Sequence, residues 1–168
     1  MLKERANENA RAVEMRVLCS GVPLALILCS APLEIGLRIY LTHCAAKKND
    51  RLCNSAVSVA PDELYAAAPI QRFIRTCQKR GVRWAILSDL YGVWFPEVKH
   101  RWYDKPPGSL TDVEFRALLK DFDRKLAGYS EILFYRNPGR FHCMYDRLLK
   151  ETSLKRRVTL ISHLDEIV

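Results

Sequence analysis

The sequence predicts an α/β domain: a three-layer α/β/α arrangement built on a short, mostly parallel four-stranded sheet. Three observations carry that expectation. β-prone runs and helix-period runs alternate from Leu37 to the end of the chain. Polar clusters follow three of the β-prone runs, where an open parallel sheet places its ligands. The composition, 49% hydrophobic and 27% charged over 168 residues, is that of a folded chain long enough for one real core.

The elements follow in order. Residues 37–42 are the first β-prone run. After a loop rich in Asn, Ser and Ala, Pro61 with Asp62 and Glu63 starts a short helix, since proline and acids suit a first turn. Pro69 opens a longer helix in which Ile70, Phe73, Ile74 and Cys77 recur at three and four residues, and Gly81 ends it. Residues 82–88 are the second strand. A long loop holding Tyr91, Trp94, Phe95, Trp102 and Tyr103 leads to Thr111, which forms a capping box with Glu114. Phe115, Leu118, Leu119, Phe122 and Leu126 make that helix's apolar stripe, and Gly128 closes it. Residues 131–136 are the third strand. Residues 140–150 read as a helix with Met144, Leu148 and Leu149 inward, and residues 158–163 as the fourth strand. Such alternation gives parallel strands with right-handed crossovers and helices on both faces.

Residues 37–168 are expected to be this single domain, preceded by an extension over residues 1–36. Within the extension, Met15-Arg16 precedes an uncharged run to Ala31 that reads like a signal segment. Pro23 and the short length argue against a membrane-spanning helix. Glu4, Glu8 and Glu14 argue against export. A cytoplasmic protein with a peripheral extension is therefore expected, and export or membrane association through residues 15–31 is the alternative. Cys19, Cys29, Cys44, Cys53, Cys77 and Cys143 contain no C-x-x-C pair, so reduced thiols are expected and neither a metal site nor a cofactor. The net charge of +8 favours an anionic partner such as nucleic acid, a nucleotide or phosphate. No stable membrane partner is expected.

Chemistry is concentrated in the three clusters. In the first, Cys44 follows a strand with Lys47 and Lys48 close behind. A thiol beside ammonium groups is a candidate nucleophile, or else a small packed residue. The lysines are candidate phosphate or carboxylate ligands, or solvated charges. In the second, Ser88, Asp89 and Tyr91 precede a turn at Gly92. Asp89 is a candidate general base or a ligand for a base edge or ribose hydroxyl; capping its own turn is the alternative. The aromatics up to Tyr103, with Asp104 beside them, are either a local core or a stacking wall for a nucleobase. In the third, Asn137-Pro138-Gly139 forces a turn and places Arg140 and His142 at a helix start, where an anion is favoured. Arg140 either grips phosphate or braces the loop. His142 is an acid/base candidate or a hydrogen-bonded structural histidine. His43, His142 and His163 are candidates for one rim.

Cys44-Ala45-Ala46-Lys47-Lys48, Tyr65, Leu87-Ser88-Asp89-Leu90-Tyr91-Gly92, Pro96 and Tyr103 resemble a bacterial, archaeal and phage domain family. Its strands end in Cys-Ser-x-x-Lys and Leu-Ser-x-x-Tyr-Gly. That family is similar to the middle domain of archaeosine synthase, among the uracil-DNA-glycosylase-like α/β folds. Ala45 stands where the pattern has serine, and the acidic water-activating motif of the well-studied glycosylases is missing. The resemblance implies a pocket of base or nucleotide size, linked to modified nucleosides in DNA or RNA. An enzyme that processes a nucleobase, nucleoside or nucleic acid, glycosylase-like or base-modifying, is one expectation. A non-catalytic nucleotide or nucleic-acid binding module is the other.

Overall fold

The chain forms its elements in the order β1 (Arg38–His43), β2 (Ser58–Val59), α1 (Pro61–Leu64), α2 (Ala68–Arg80), β3 (Trp84–Ser88), β4 (Gly92–Trp94), β5 (His100–Arg101), α3 (Asp112–Leu126), β6 (Glu131–Tyr135), α4 (Cys143–Glu151) and β7 (Val158–Ile161), joined by short 3-10 turns. This is a computed structural model, and it describes residues 36–137 and 141–168. The signal-like segment, Cys19, Cys29 and Arg140 lie outside the described residues.

The main sheet has five strands in the order β4-β3-β1-β6-β7. β1 pairs in parallel with β3 on one side and β6 on the other, and β7 is parallel to β6. The four predicted strands are all present, but the expected count of four is one short. The addition is β4, which turns back against β3 with Ser88 opposite Gly92 and Ile86 opposite Trp94. Three residues are too few to show a strand period, which is why β4 lay hidden in a predicted loop. Its stability comes from elsewhere in the fold. The Val93 N–H donates to Asp121 of α3 (3.0 Å), and Lys125 donates to the Val93 carbonyl (2.6 Å). A helix thus satisfies the backbone groups that an edge strand leaves open. Gly92 has φ +70°, and a Cβ there would run into the same Asp121 carboxylate. The long loop also supplies β5, which pairs with β2 in a separate two-stranded ribbon.

Alternate strand residues enter two apolar clusters. Tyr40, Trp84, Ile86, Leu133 and Tyr135 join Ile70, Phe73, Ile74 and Cys77 of α2. Ile39, Leu41, Ala85, Leu87, Ile132 and Phe134 join the α3 stripe and Met144, Tyr145 and Leu148 of α4. The period of 2 in the strands and 3.6 in the helices makes this division. The predicted helix ends behave differently. Gly81 takes the left-handed conformation (φ +63°) and ends α2. Gly128 does not; α3 stops at Leu126, and Arg157 donates to the carbonyls of Ala127 and Tyr129 just beyond it. α4 starts at Cys143 rather than at residue 140, because the His142 ring accepts from the Met144 N–H and makes His142 the N-cap. Among the described residues, no helix is long and apolar enough to cross a membrane.

Candidate functional site

Because β1, β3 and β6 are parallel neighbours, their carboxyl ends share one edge of the sheet. The chain leaves β1 for β3 on one side and later crosses to β6 on the other, so β1 lies at a switch point where a crevice opens. A cavity of about 620 Å³ occupies that place. Cys44, Asp89 and Asn137 line it from the three strand ends, with Lys48, Asp104, Lys105, Phe141 and His142 around them. Each predicted cluster therefore contributes at least one residue to one site.

At the centre is Asp89, a buried carboxylate. The Cys44 thiol donates to its Oδ2 (3.0 Å) and the Tyr145 hydroxyl to its Oδ1 (2.5 Å). Burial raises the Asp89 pKa above the ordinary value. The two donated hydrogen bonds oppose that rise, as does the charge of Lys48. The expectation of an activated thiol is overturned by the same contacts. Burial and the adjacent carboxylate push the Cys44 thiol up to about 12, so it stays protonated at neutral pH and acts as a hydrogen-bond donor.

The two lysines separate. Lys48 bridges backbone to backbone with Tyr65, which turns its side chain inward and leaves Lys47 exposed, outside the cavity lining. Lys48 is only 5% exposed. Its ammonium sits 4.3 Å from the Tyr103 ring centroid and 6.0 Å from that of Trp102. None of the described ion pairs includes it. Aromatic faces, rather than a carboxylate, hold this buried cation.

Ser88, Tyr91 and Tyr103 support the site without lining the cavity. Ser88 is fully buried and donates to the Tyr103 hydroxyl (2.9 Å), which is 2.7 Å from the Tyr65 hydroxyl. The Ser88 oxygen also accepts from the N–H groups of Leu90 and Tyr91, so Ser88, not Asp89, braces the turn. Tyr91 stacks on His100 (4.0 Å) and donates to the Arg101 carbonyl. Most of the predicted stacking wall is thus local core. Phe141 is the aromatic that borders the open cavity beside Tyr145 (5.7 Å).

No protein-family model, curated protein or solved structure matches the chain. The chemistry of the site rests on its own residues.

Sequence reasoning left His43 and Tyr145 out of the candidate site residues. A helix starting at residue 140 leaves Tyr145 past its first turn; the observed start at Cys143 puts Tyr145 in the first turn, at the strand ends. The sequence offers His43 only as a rim candidate. It is buried, its Nδ1 is 2.8 Å from the Cys44 carbonyl, and its Nε2 has no partner. Donation from Nδ1 leaves Nε2 as an acceptor, and burial lowers the ring's pKa, which favours this neutral form. His163 lies away from the cavity lining, at the turn after β7. Among the described residues, no group of His, Cys, Asp and Glu could hold a metal ion.

Lys105 on the rim donates to Glu114 (2.5 Å), and Glu114 also closes the capping box with Thr111. These contacts hold the Glu114 carboxyl down at about 2. Because the folded pKa is depressed, the stabilisation is complete above the ordinary carboxyl value near 4.5 and disappears as pH falls toward about 2. In urea titrations the wild type should be more stable than Glu114→Gln at neutral pH, and the gap should close between those two values.

Proposed function

We propose that the cavity receives a nucleobase, free as a nucleoside or presented by a nucleic acid, and that Asp89 takes a proton from it or from a water beside it. The observation that carries this reading is a set of three buried polar groups in one cavity. Asp89 and His43 Nε2 accept, and Lys48 donates. A base edge presents donors and acceptors side by side, and burying such a set without a ligand is costly. The volume falls in the range of small-molecule sites. Phe141 offers a face for stacking. The three-layer arrangement expected from sequence belongs to the same reading, supported by helices packing with alternate strand residues.

Among the described residues, the cavity is less cationic than the net charge leads one to expect. The described lining holds Lys48 and Lys105 together with Asp89 and Asp104, and Lys105 is already engaged by Glu114. A neutral base with its sugar fits this balance better than a polyphosphate. A non-catalytic binding module is the second reading. It is favoured by Cys44 and Tyr145, which already engage both Asp89 oxygens.

Nucleosides, nucleotides and short oligonucleotides should be assayed for binding by calorimetry and for base release or conversion by chromatography. Lys48→Met should weaken the bound ligand by about ten- to a hundred-fold, the worth of a charge-assisted hydrogen bond. Methionine fills the channel against Tyr103 and Trp102, so the melting temperature should hold. The reading is wrong if no member of the panel binds, or if Lys48→Met binds as well as wild type.

A further inference from the structure

The charges of the longer helices are distributed unequally. α3 balances Asp112, Glu114, Asp121 and Asp123 against Arg116, Lys120, Arg124 and Lys125. α4 balances Asp146 and Glu151 against Arg147 and Lys150. α2 carries Arg72, Arg75, Lys79 and Arg80 and no acid at all. These four side chains are exposed, and none takes part in a described ion pair. They line a groove of about 550 Å³ between α2 and the turn at Leu164 and Asp165. Arg80 donates there to the Asp165 backbone carbonyl, and Asp165 is the one carboxylate among the described lining residues.

We propose that this face of α2 is a nucleic-acid backbone site that leads toward the cavity. Arg72 to Lys79 spans about 10 Å along the helix axis at 1.5 Å per residue. That is about three steps of a duplex strand at 3.4 Å each. The row continues toward the cavity. Arg72 lies near Tyr135 at the end of β6, and Arg136 stacks its guanidinium on Phe141 (4.9 Å), which borders the cavity.

A membrane surface fits less well. An interfacial helix must turn an apolar face to lipid, but Ile70, Phe73, Ile74 and Cys77 of α2 are in the core. None of the described exposed large hydrophobic residues lies on the groove. A protein partner would want an apolar anchor, and the groove offers only Leu164, half-buried, at its edge. Single-sign charge without apolar anchors is the character of a nucleic-acid interface. The inference rests on the proposed reading for the base that enters the cavity, but not for the backbone contact itself.

The test compares wild type with Arg72→Gln/Arg75→Gln/Lys79→Gln in salt titrations. The probe is a labelled oligonucleotide of about 16 nucleotides, single-stranded and as a duplex. A control triple variant, Arg116→Gln/Lys120→Gln/Arg156→Gln, removes as much charge from other exposed positions. Wild type should show a log–log salt slope of about −2.8 on the single strand and about −3.6 on the duplex, as expected for four contacts. The α2 variant should bind about ten- to a hundred-fold more weakly, with the slope smaller in magnitude by about 2 to 3. Its melting temperature and its affinity for nucleosides should not change, and the control should match wild type. Equal affinity and slope in the α2 variant would overturn the proposal. So would an equal loss in the control, or binding to phosphatidylserine vesicles without binding to the oligonucleotide. If α2-dependent binding persists while no nucleoside binds, the cavity reading fails and the backbone site stands.

Discussion

Asp89→Asn should leave ligand affinity within a few-fold of wild type and lower turnover by about 10²- to 10⁴-fold, the usual contribution of a general base. Asparagine is nearly isosteric with aspartate. Its carbonyl oxygen can still accept from Cys44 or Tyr145, and its amide can donate to the sulfur or hydroxyl of the other. The site therefore keeps its shape and loses only the ability to take a proton. Leucine at the same position would instead strand two buried donors, so it is the wrong probe. A pH profile adds an independent check. Burial raises the Asp89 pKa, so the acid limb of the rate profile should lie above the position set by an ordinary aspartate. Tyr145→Phe removes the donor at 2.5 Å and should move that limb higher still. Unchanged turnover in Asp89→Asn would remove Asp89 from the chemistry. Loss of binding and turnover together would favour the binding module.

Trp94→Ala should cost about 3–5 kcal/mol of folding stability, the range for a large aromatic deleted from a core. Trp94 is 1% exposed although it sits on the edge strand β4. Its ring meets Tyr65 (5.8 Å), Tyr91 (5.4 Å) and His100 (4.9 Å), and its Nε1–H donates to the Val98 carbonyl (2.7 Å). Removing it opens a void beneath the hydroxyl chain of Tyr65, Tyr103 and Ser88 that underlies Lys48. Trp94→Phe keeps most of the buried ring and leaves the Val98 carbonyl without its donor, so it should cost about 1–3 kcal/mol. Chemical denaturation of both variants measures the order. A loss under about 1 kcal/mol in Trp94→Ala would mean that β4 adds little to the core.

Much of the fold was legible because it rests on local pattern. The α2 stripe of Ile70, Phe73, Ile74 and Cys77, the Thr111–Glu114 capping box and the Gly81 stop each depend on residues a few positions apart. β4 and β5 were not legible for the opposite reason. Val93 holds its place through Asp121 and Lys125, about thirty residues away, and no short-range period records such partners. The helix start near residue 140 went astray because the Asn-Pro-Gly turn looks like a helix entry, while His142 makes the cap.

The sequence by itself determined that the polar clusters lie at strand ends, since alternating β and α runs leave few topologies open. Only the tertiary structure decided what each cluster residue does. Lys48 points inward and Lys47 outward because of one backbone bridge to Tyr65. Cys44 is a protonated donor rather than an activated thiol because burial beside Asp89 raises its pKa. Ser88 and Tyr103 became supports, and Tyr145 and His43 joined the site. Such roles are set by desolvation and by partners distant in sequence, and neither is written into a local pattern.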